Sequence, residues 1–191
     1  INNYKKNKEK QIIKIIDYIL YISETKLNKI NTISFNFGPG SFTGIRLAAI
    51  ICQNLSLNKK KITRISSIQN IAYETHKKNK YIFISLLSKY NEIYFCIYKH
   101  NIKKNIFQPI IPEQIKNLFK IKSLPKNLTY KGNSFSIPKN IKYKKNIFKS
   151  IYNRYPKVKY NSILSELYTK NKITTSINNV NPNYIIENIF S

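Results

Sequence analysis

Along residues 10–23, Ile12, Ile15, Ile16, Ile19 and Ile22 recur at helical spacing while Lys14, Asp17 and Tyr21 fall off that stripe, which predicts an amphipathic helix. After a turn at 24–31, residues 32–37 (TISFNF) gather β-branched and aromatic side chains in a short run suited to a buried strand. Gly38-Pro39-Gly40 ends that strand, and Ser41 is placed to cap a second helix running to about Leu57, its hydroxyl accepting a backbone N–H of the first turn. Residues 62–66 read as another strand, followed by a short helix through about His76. Helix, strand, helix, strand, helix is the order of a parallel sheet covered by helices.

From Tyr81 the period changes. Residues 81–88 (YIFISLLS) and 92–98 (EIYFCIY) are predicted strands separated by Lys89-Tyr90-Asn91, most simply a hairpin. Beyond residue 100, Pro109, Pro112, Pro125 and Pro138 punctuate a Lys-, Asn- and Ile-rich text. It yields a short helix at 113–119, a strand near 128–131 and a helix at about 162–170. The division falls near residue 100, giving a first lobe of 1–100 and a smaller second lobe of 101–191, with the segment 182–190 free to return to the first.

The 191 residues carry 34 Lys+Arg against 8 Asp+Glu, a formal charge of +26, and 42% are apolar, enough for a sizeable core rather than a disordered chain. There are 31 Lys, 36 Ile and 26 Asn but only three Arg, at 46, 64 and 154. Lys, Ile and Asn are the types written by A- and T-rich codons, whereas Arg is preferred for bidentate phosphate and guanine contacts. The charge is therefore read as compositional drift before it is read as a nucleic-acid footprint.

Residues 4–22 imitate a secretory signal, but Lys14 and Asp17 interrupt the apolar run and no small-residue cleavage site follows. No uncharged run approaches the ~18 residues that span a bilayer, so a cytoplasmic protein without membrane contact is expected. Cys52 and Cys96, each in apolar surroundings, read as reduced buried cysteines.

One stretch stands out: Gly38-Pro39-Gly40-Ser41-Phe42-Thr43-Gly44, between a predicted strand and a predicted helix. Backbone amides at a helix start suit an anion. The glycines, however, are spaced GxGxxxG, one residue longer than the dinucleotide fingerprint, and no Lys follows to make a P-loop. No acidic residue lies between Glu24 and Glu74 to hold a ribose or magnesium. A tight turn is favoured over a phosphate cradle. The acids Glu9, Asp17, Glu24, Glu74, Glu92, Glu113, Glu166 and Glu187 are scattered singly, so paired-carboxylate or carboxylate-metal chemistry has little to work with. His76 and His100 sit beside Lys at polar ends of elements and read as exposed, and with two Cys they make no zinc spacing. Ser41 lacks nucleophile-elbow spacing. No catalytic, cofactor-binding or metal-binding residue is assigned.

The run GPGSFTGIR, Gly38 to Arg46, resembles the signature of the TsaB (YeaZ) family, a partner subunit in threonylcarbamoyladenosine synthesis on tRNA. The similarity extends through the flanking helix and strand to residue 98, with Glu92-Ile93-Tyr94 resembling the family's Glu-Val-Tyr strand and Pro182-Asn183-Tyr184 its C-terminal Pro-x-Tyr. The resemblance implies an α/β, actin-like (ASKHA) two-lobe fold with mixed sheets covered by helices. It implies a non-catalytic scaffold that binds the catalytic subunit TsaD, with the ATPase TsaE joining the pair. In that setting tRNA is met only through the complex, ATP is used by the wider complex, and no cofactor is bound independently. Self-association into a homodimer is a further expectation.

The partner-interface region implied is Gly38, Pro39, Gly40, Ser41, Phe42, Thr43, Gly44, Arg46, Ala48, Ala49 and Cys52, on the helix at 41–57, together with the helix at 11–22. The family opens with strands carrying an Asp-Thr-Ser-like segment, and this sequence starts after them. The first lobe is thus expected to lack its N-terminal strands and to leave backbone pairing groups unmet. The family's Asp-Ala-Arg is replaced by Leu87-Ser88-Lys89. The alternative function is a lysine-rich module that binds tRNA directly, its phosphate contacts salt-sensitive and its 15 Tyr available for stacking.

Overall fold

A computed structural model describes residues 2–57, 60–74, 81–88, 92–101, 103, 105–117, 129–132 and 155–182. In chain order the elements are α1 (Asn2–Ile22), β1 (Thr32–Asn36), α2 (Phe42–Leu55), β2 (Lys61–Ile65), α3 (Ser67–Tyr73), β3 (Tyr81–Leu87), β4 (Glu92–Asn101), β5 (Ile106–Asn117), β6 (Thr129–Gly132) and α4 (Val158–Lys170). Parallel pairing joins β1 to β2, with Ile33 beside Ile62 and Phe35 beside Arg64. The other sheet runs β5-β4-β3-β6, antiparallel except for the parallel β3–β6 pair. The architecture is α/β with one parallel and one mixed sheet.

The two faces of the β1–β2 pair follow from alternation, since successive strand residues point to opposite sides. Phe35 and Ile62 join Ala49 and Cys52 of α2 in one buried cluster. Thr63, next to Ile62, points the other way and shares a buried 2.7 Å hydrogen bond with Ser165 of α4. So α2 covers one face and α4 the other.

A larger cluster ties α3 and α4 to the mixed sheet: Ile68, Ile71 and Ala72 pack with Ile82, Ile84, Cys96, Leu164 and Tyr168. Each fully buried isoleucine contributes on the order of 1.5–3 kcal/mol over an exposed one. Asn70, only 1% exposed, docks α3 to the start of α4 by accepting the Lys157 N–H at 2.8 Å and donating to the Lys157 carbonyl at 2.9 Å. The segment after α4 returns to the first sheet. The Thr175 N–H donates to the Ile62 carbonyl at 2.8 Å, and Val180, 1% exposed, enters the cluster with Phe35 and Cys52. The expected return of 182–190 lies outside the described residues apart from Pro182, and the observed return is made just upstream.

Several expectations are corrected. The first helix begins at Asn2 rather than near residue 10, because the Lys- and Asn-rich start is helical without an apolar period. The helix expected at 113–119 is instead the end of β5, with 118–119 outside the described residues. Its prolines are tolerated because β5 is an edge strand, where a missing N–H breaks no second ladder. Shifts in register between Phe95 and Tyr98 mark where the strand accommodates them. The last helix starts at Val158, four residues before the expected 162. Residue 100 falls inside β4, and the change from one sheet to the other lies between Ile65 and Tyr81.

Candidate functional site: the glycine loop and the helix it launches

The chain leaves β1 at Asn36, and that side chain organises the turn. Its Oδ1 accepts the Gly38 N–H at 3.0 Å and the Ser67 hydroxyl at 2.8 Å, while the Gly38 carbonyl accepts the Ser67 N–H at 2.8 Å. Asn favours this local bond two residues on. Gly38 has φ 110°, a conformation that favours glycine, and the peptide to Pro39 is cis. Ser66 accepts the N–H groups of Ile68 and Gln69 and so caps α3 directly behind the loop. Gly38 and Pro39 are buried, and the chain then emerges, with Gly40 through Gly44 exposed.

Ser41 holds the N-cap position of α2, but its hydroxyl makes no capping bond, contrary to expectation; its carbonyl accepts the Ile45 N–H at 2.9 Å in the ordinary helical way. Helix α2 presents three faces. Ile45, Ala49 and Cys52 are buried toward the sheet. Gly44, Leu47, Ala48 and Ile51 line a cavity beside β1. Phe42, Arg46 and Ile50 face outward, Phe42 at 58% and Ile50 at 50% exposure, with the Arg46 guanidinium 5.3 Å over the Phe42 ring. The motif residues therefore separate: Phe42 and Arg46 are exposed, whereas Ala49 and Cys52 are buried in the core. Helix α1 is only half-buried at Ile12, Ile16 and Leu20 and leaves Ile15, Tyr18, Ile19 and Ile22 exposed.

A cleft of about 1100 Å³ opens between the loop and the mixed sheet, touching Ser41, Thr43, Ser67, Glu92 and Tyr94. Among the described residues its lining holds hydroxyls, no Lys, Arg or His, and a single charged residue, Glu92, which repels phosphate. Among the described residues no three His, Cys, Asp or Glu come together as a metal site. Glu74 pairs with Lys157 at 2.7 Å, Glu166 with Lys170 at 2.6 Å, and Glu113 accepts the Tyr98 hydroxyl at 2.7 Å.

Both cysteines are free and buried. Burial pushes the Cys52 thiol up to about 11, against a smaller opposing effect of Ser56, and the Cys96 thiol up to about 12, against Tyr98. His100 is half-buried and stacked on Phe107 at 5.1 Å, with Nε2 3.0 Å from the Asn105 side chain, so it is packed rather than simply exposed. His76 lies outside the described residues.

No helix among the described residues is long and apolar enough to cross a membrane. Asn36 and Asn70 escaped the sequence reading; an Asn two residues before a turn glycine was the legible signal for the first.

Known proteins resemble this chain in both sequence and fold. The family model described as TsaD, tRNA N6-adenosine threonylcarbamoyltransferase, matches residues 2–181. A protein of Buchnera aphidicola subsp. Acyrthosiphon pisum named tRNA threonylcarbamoyladenosine biosynthesis protein TsaB is 33% identical over 129 residues, 61% of this chain and 58% of that relative. One of the same name from Haemophilus influenzae is 29% identical over 116 residues, covering 56% and 49%. The chain thus spans about half the length of the curated relatives it matches. Among solved structures, YeaZ from Pseudomonas aeruginosa superimposes with a TM-score of 0.78 at 14% identity, over 92% of this chain and 84% of that one. A second Pseudomonas aeruginosa structure, described as similar to peptidase YEAZ, gives 0.79 at 14%, over 93% and 83%.

Proposed function

Because the chain belongs to the TsaB (YeaZ) family and shares its actin-like fold, we propose that it is the non-catalytic subunit that binds and supports TsaD. The reaction served is threonylcarbamoyl transfer to the adenosine next to the anticodon of tRNA. The observation that carries this reading is the outward face of α2, where Phe42 at 58% and Ile50 at 50% exposure stand beside Arg46. Aromatic and Arg side chains grouped on an exposed apolar patch are what protein interfaces select. Latching Gly38 to Ser67 fixes where α2 starts, and hence where that face points.

A supporting rather than chemical role fits the site. The carboxylates Glu74 and Glu166 are held in ion pairs with Lys157 and Lys170. ATP and TsaE enter through the wider complex, and tRNA is met through TsaD.

The double variant Phe42→Asp/Ile50→Asp tests the reading. It places charge in the interface without touching the core, and is expected to weaken TsaD capture by roughly 30-fold or more, the scale of a hot-spot loss, with an unchanged urea midpoint. Unchanged capture removes this face from the interface.

A further inference from the structure

A pocket of about 350 Å³ lies where the two sheets meet. It shares no lining residue with the cleft by the glycine loop or with the cavity beside β1. Arg64 of β2 and Gln69 of α3 line it from the first sheet and its helix, Tyr98 of β4 and Glu113 of β5 from the mixed sheet, and Tyr168 from α4. Residues 173–175, returning to pair with Ile62, complete the wall. Junctions between packed units are where small-molecule sites recur, and this volume is at the small end of their range.

Among the described residues two of those lining the pocket are charged, and their signs are opposite. Each is held in place. The Arg64 guanidinium donates to the Asn179 carbonyl at 3.1 Å and lies 5.2 Å over the Phe37 ring, a cation–π contact. Among the described residues no carboxylate pairs with it. A guanidinium carries five N–H donors in a fork that matches a carboxylate. Glu113 Oε1 accepts the Tyr98 hydroxyl at 2.7 Å, and Tyr98 is only 2% exposed, so the carboxylate is oriented by a packed residue. The Tyr168 oxygen accepts from the Gln69 amide, which leaves its hydroxyl as a further donor. Burial first, and the Glu113 charge second, keep the Tyr98 and Tyr168 hydroxyls protonated.

The balance of charge selects the ligand. A lone anion gains Arg64 but is repelled by Glu113, and a lone cation meets the reverse. A ligand without charge desolvates both groups and pairs neither. A small molecule that carries both charges satisfies both, and Phe37, Pro109 and Pro112 offer apolar wall to the rest of it.

We propose that this pocket binds a free amino acid as its zwitterion, the carboxylate on Arg64 and the ammonium on Glu113. Phe42 and Ile50 do not line it, so binding here stands or falls independently of TsaD capture.

The test is saturation-transfer NMR on the full chain with the common L-amino acids as probes, each at about 1 mM. Those that respond are compared with their N-acetyl forms, which lack the ammonium, and their carboxamides, which lack the carboxylate. At least one amino acid is expected to bind with a Kd on the order of 1 mM or tighter. Each blocked form should bind at least roughly tenfold more weakly, the loss of one charge-assisted hydrogen bond. Glu113→Gln should close the gap between the zwitterion and its N-acetyl form while keeping the gap to the carboxamide, and Arg64→Gln should do the opposite, a crossed pattern that mere loss of structure does not give. No transfer to any amino acid, or equal binding of the free and blocked forms, overturns the proposal; both readings use the unmutated chain and stand even if a variant unfolds.

Discussion

Asn36 is the residue on which the glycine loop hangs, because one carboxamide oxygen serves both the Gly38 N–H and the Ser67 hydroxyl. Asn36→Ala leaves both donors short of a partner in a half-buried place and is expected to cost about 1–3 kcal/mol, measured as a lower urea midpoint; an unchanged midpoint would show that water replaces the carboxamide. The buried thiols give a second prediction. An ordinary thiol titrates near 9, whereas Cys52 is raised to about 11 and Cys96 to about 12. Between those values the unfolded chain releases protons that the folded chain keeps, so this contribution to stability is whole below about pH 9 and is lost as pH rises through 11 to 12. Native-state alkylation should accordingly stay slow at pH 8 and become fast only in denaturant, and fast native labelling would place the thiols at the surface. Burial of the cysteines was legible from their apolar neighbours; the packing of His100 on Phe107 was not, because Phe107 lies across the β4–β5 turn and its contact depends on pairing register.

At the scale of elements, periodicity recovered the segments whose apolar residues repeat. β1, α2, β2 and the β3–β4 hairpin fall within a residue or three of their expected ends. Failures occurred where tertiary context overrides local pattern. Residues 113–119 read as a short helix after the prolines, but an edge strand accepts proline on its open side and β5 runs on through Asn117. At α2 the motif fixed the position of the helix but not its three faces, which depend on what lies across each. Gly44 shows the difference: a Cβ there would meet only Ser41, at 3.7 Å, and the residue lines the cavity beside β1. Gly44→Leu in the isolated chain should therefore leave stability unchanged or raise it by up to about 1 kcal/mol through helix propensity. A large loss of stability would show that Gly44 is packed more tightly than this.

The whole molecule sets two readings of its charge against one another. Lysine spread along the chain, with only three arginines, fits a solvated surface better than a recognition groove. The isolated chain is thus expected to bind tRNA weakly and without sequence preference, the affinity falling steeply with salt; filter binding that persists at physiological salt would favour the lysine-rich RNA-binding role instead. Organisation at this scale was the least legible part, since the change of sheet between Ile65 and Tyr81 is masked in sequence by the β3–β4 run, and α4 returns to cover β1 and β2 from about 100 residues away. The proposed scaffold role is tested most directly by co-expressing this chain with its cognate TsaD and resolving the mixture by size exclusion at physiological salt. A co-eluting complex that is lost with Phe42→Asp/Ile50→Asp is the expected result, and separate elution of the two unmutated chains would contradict it.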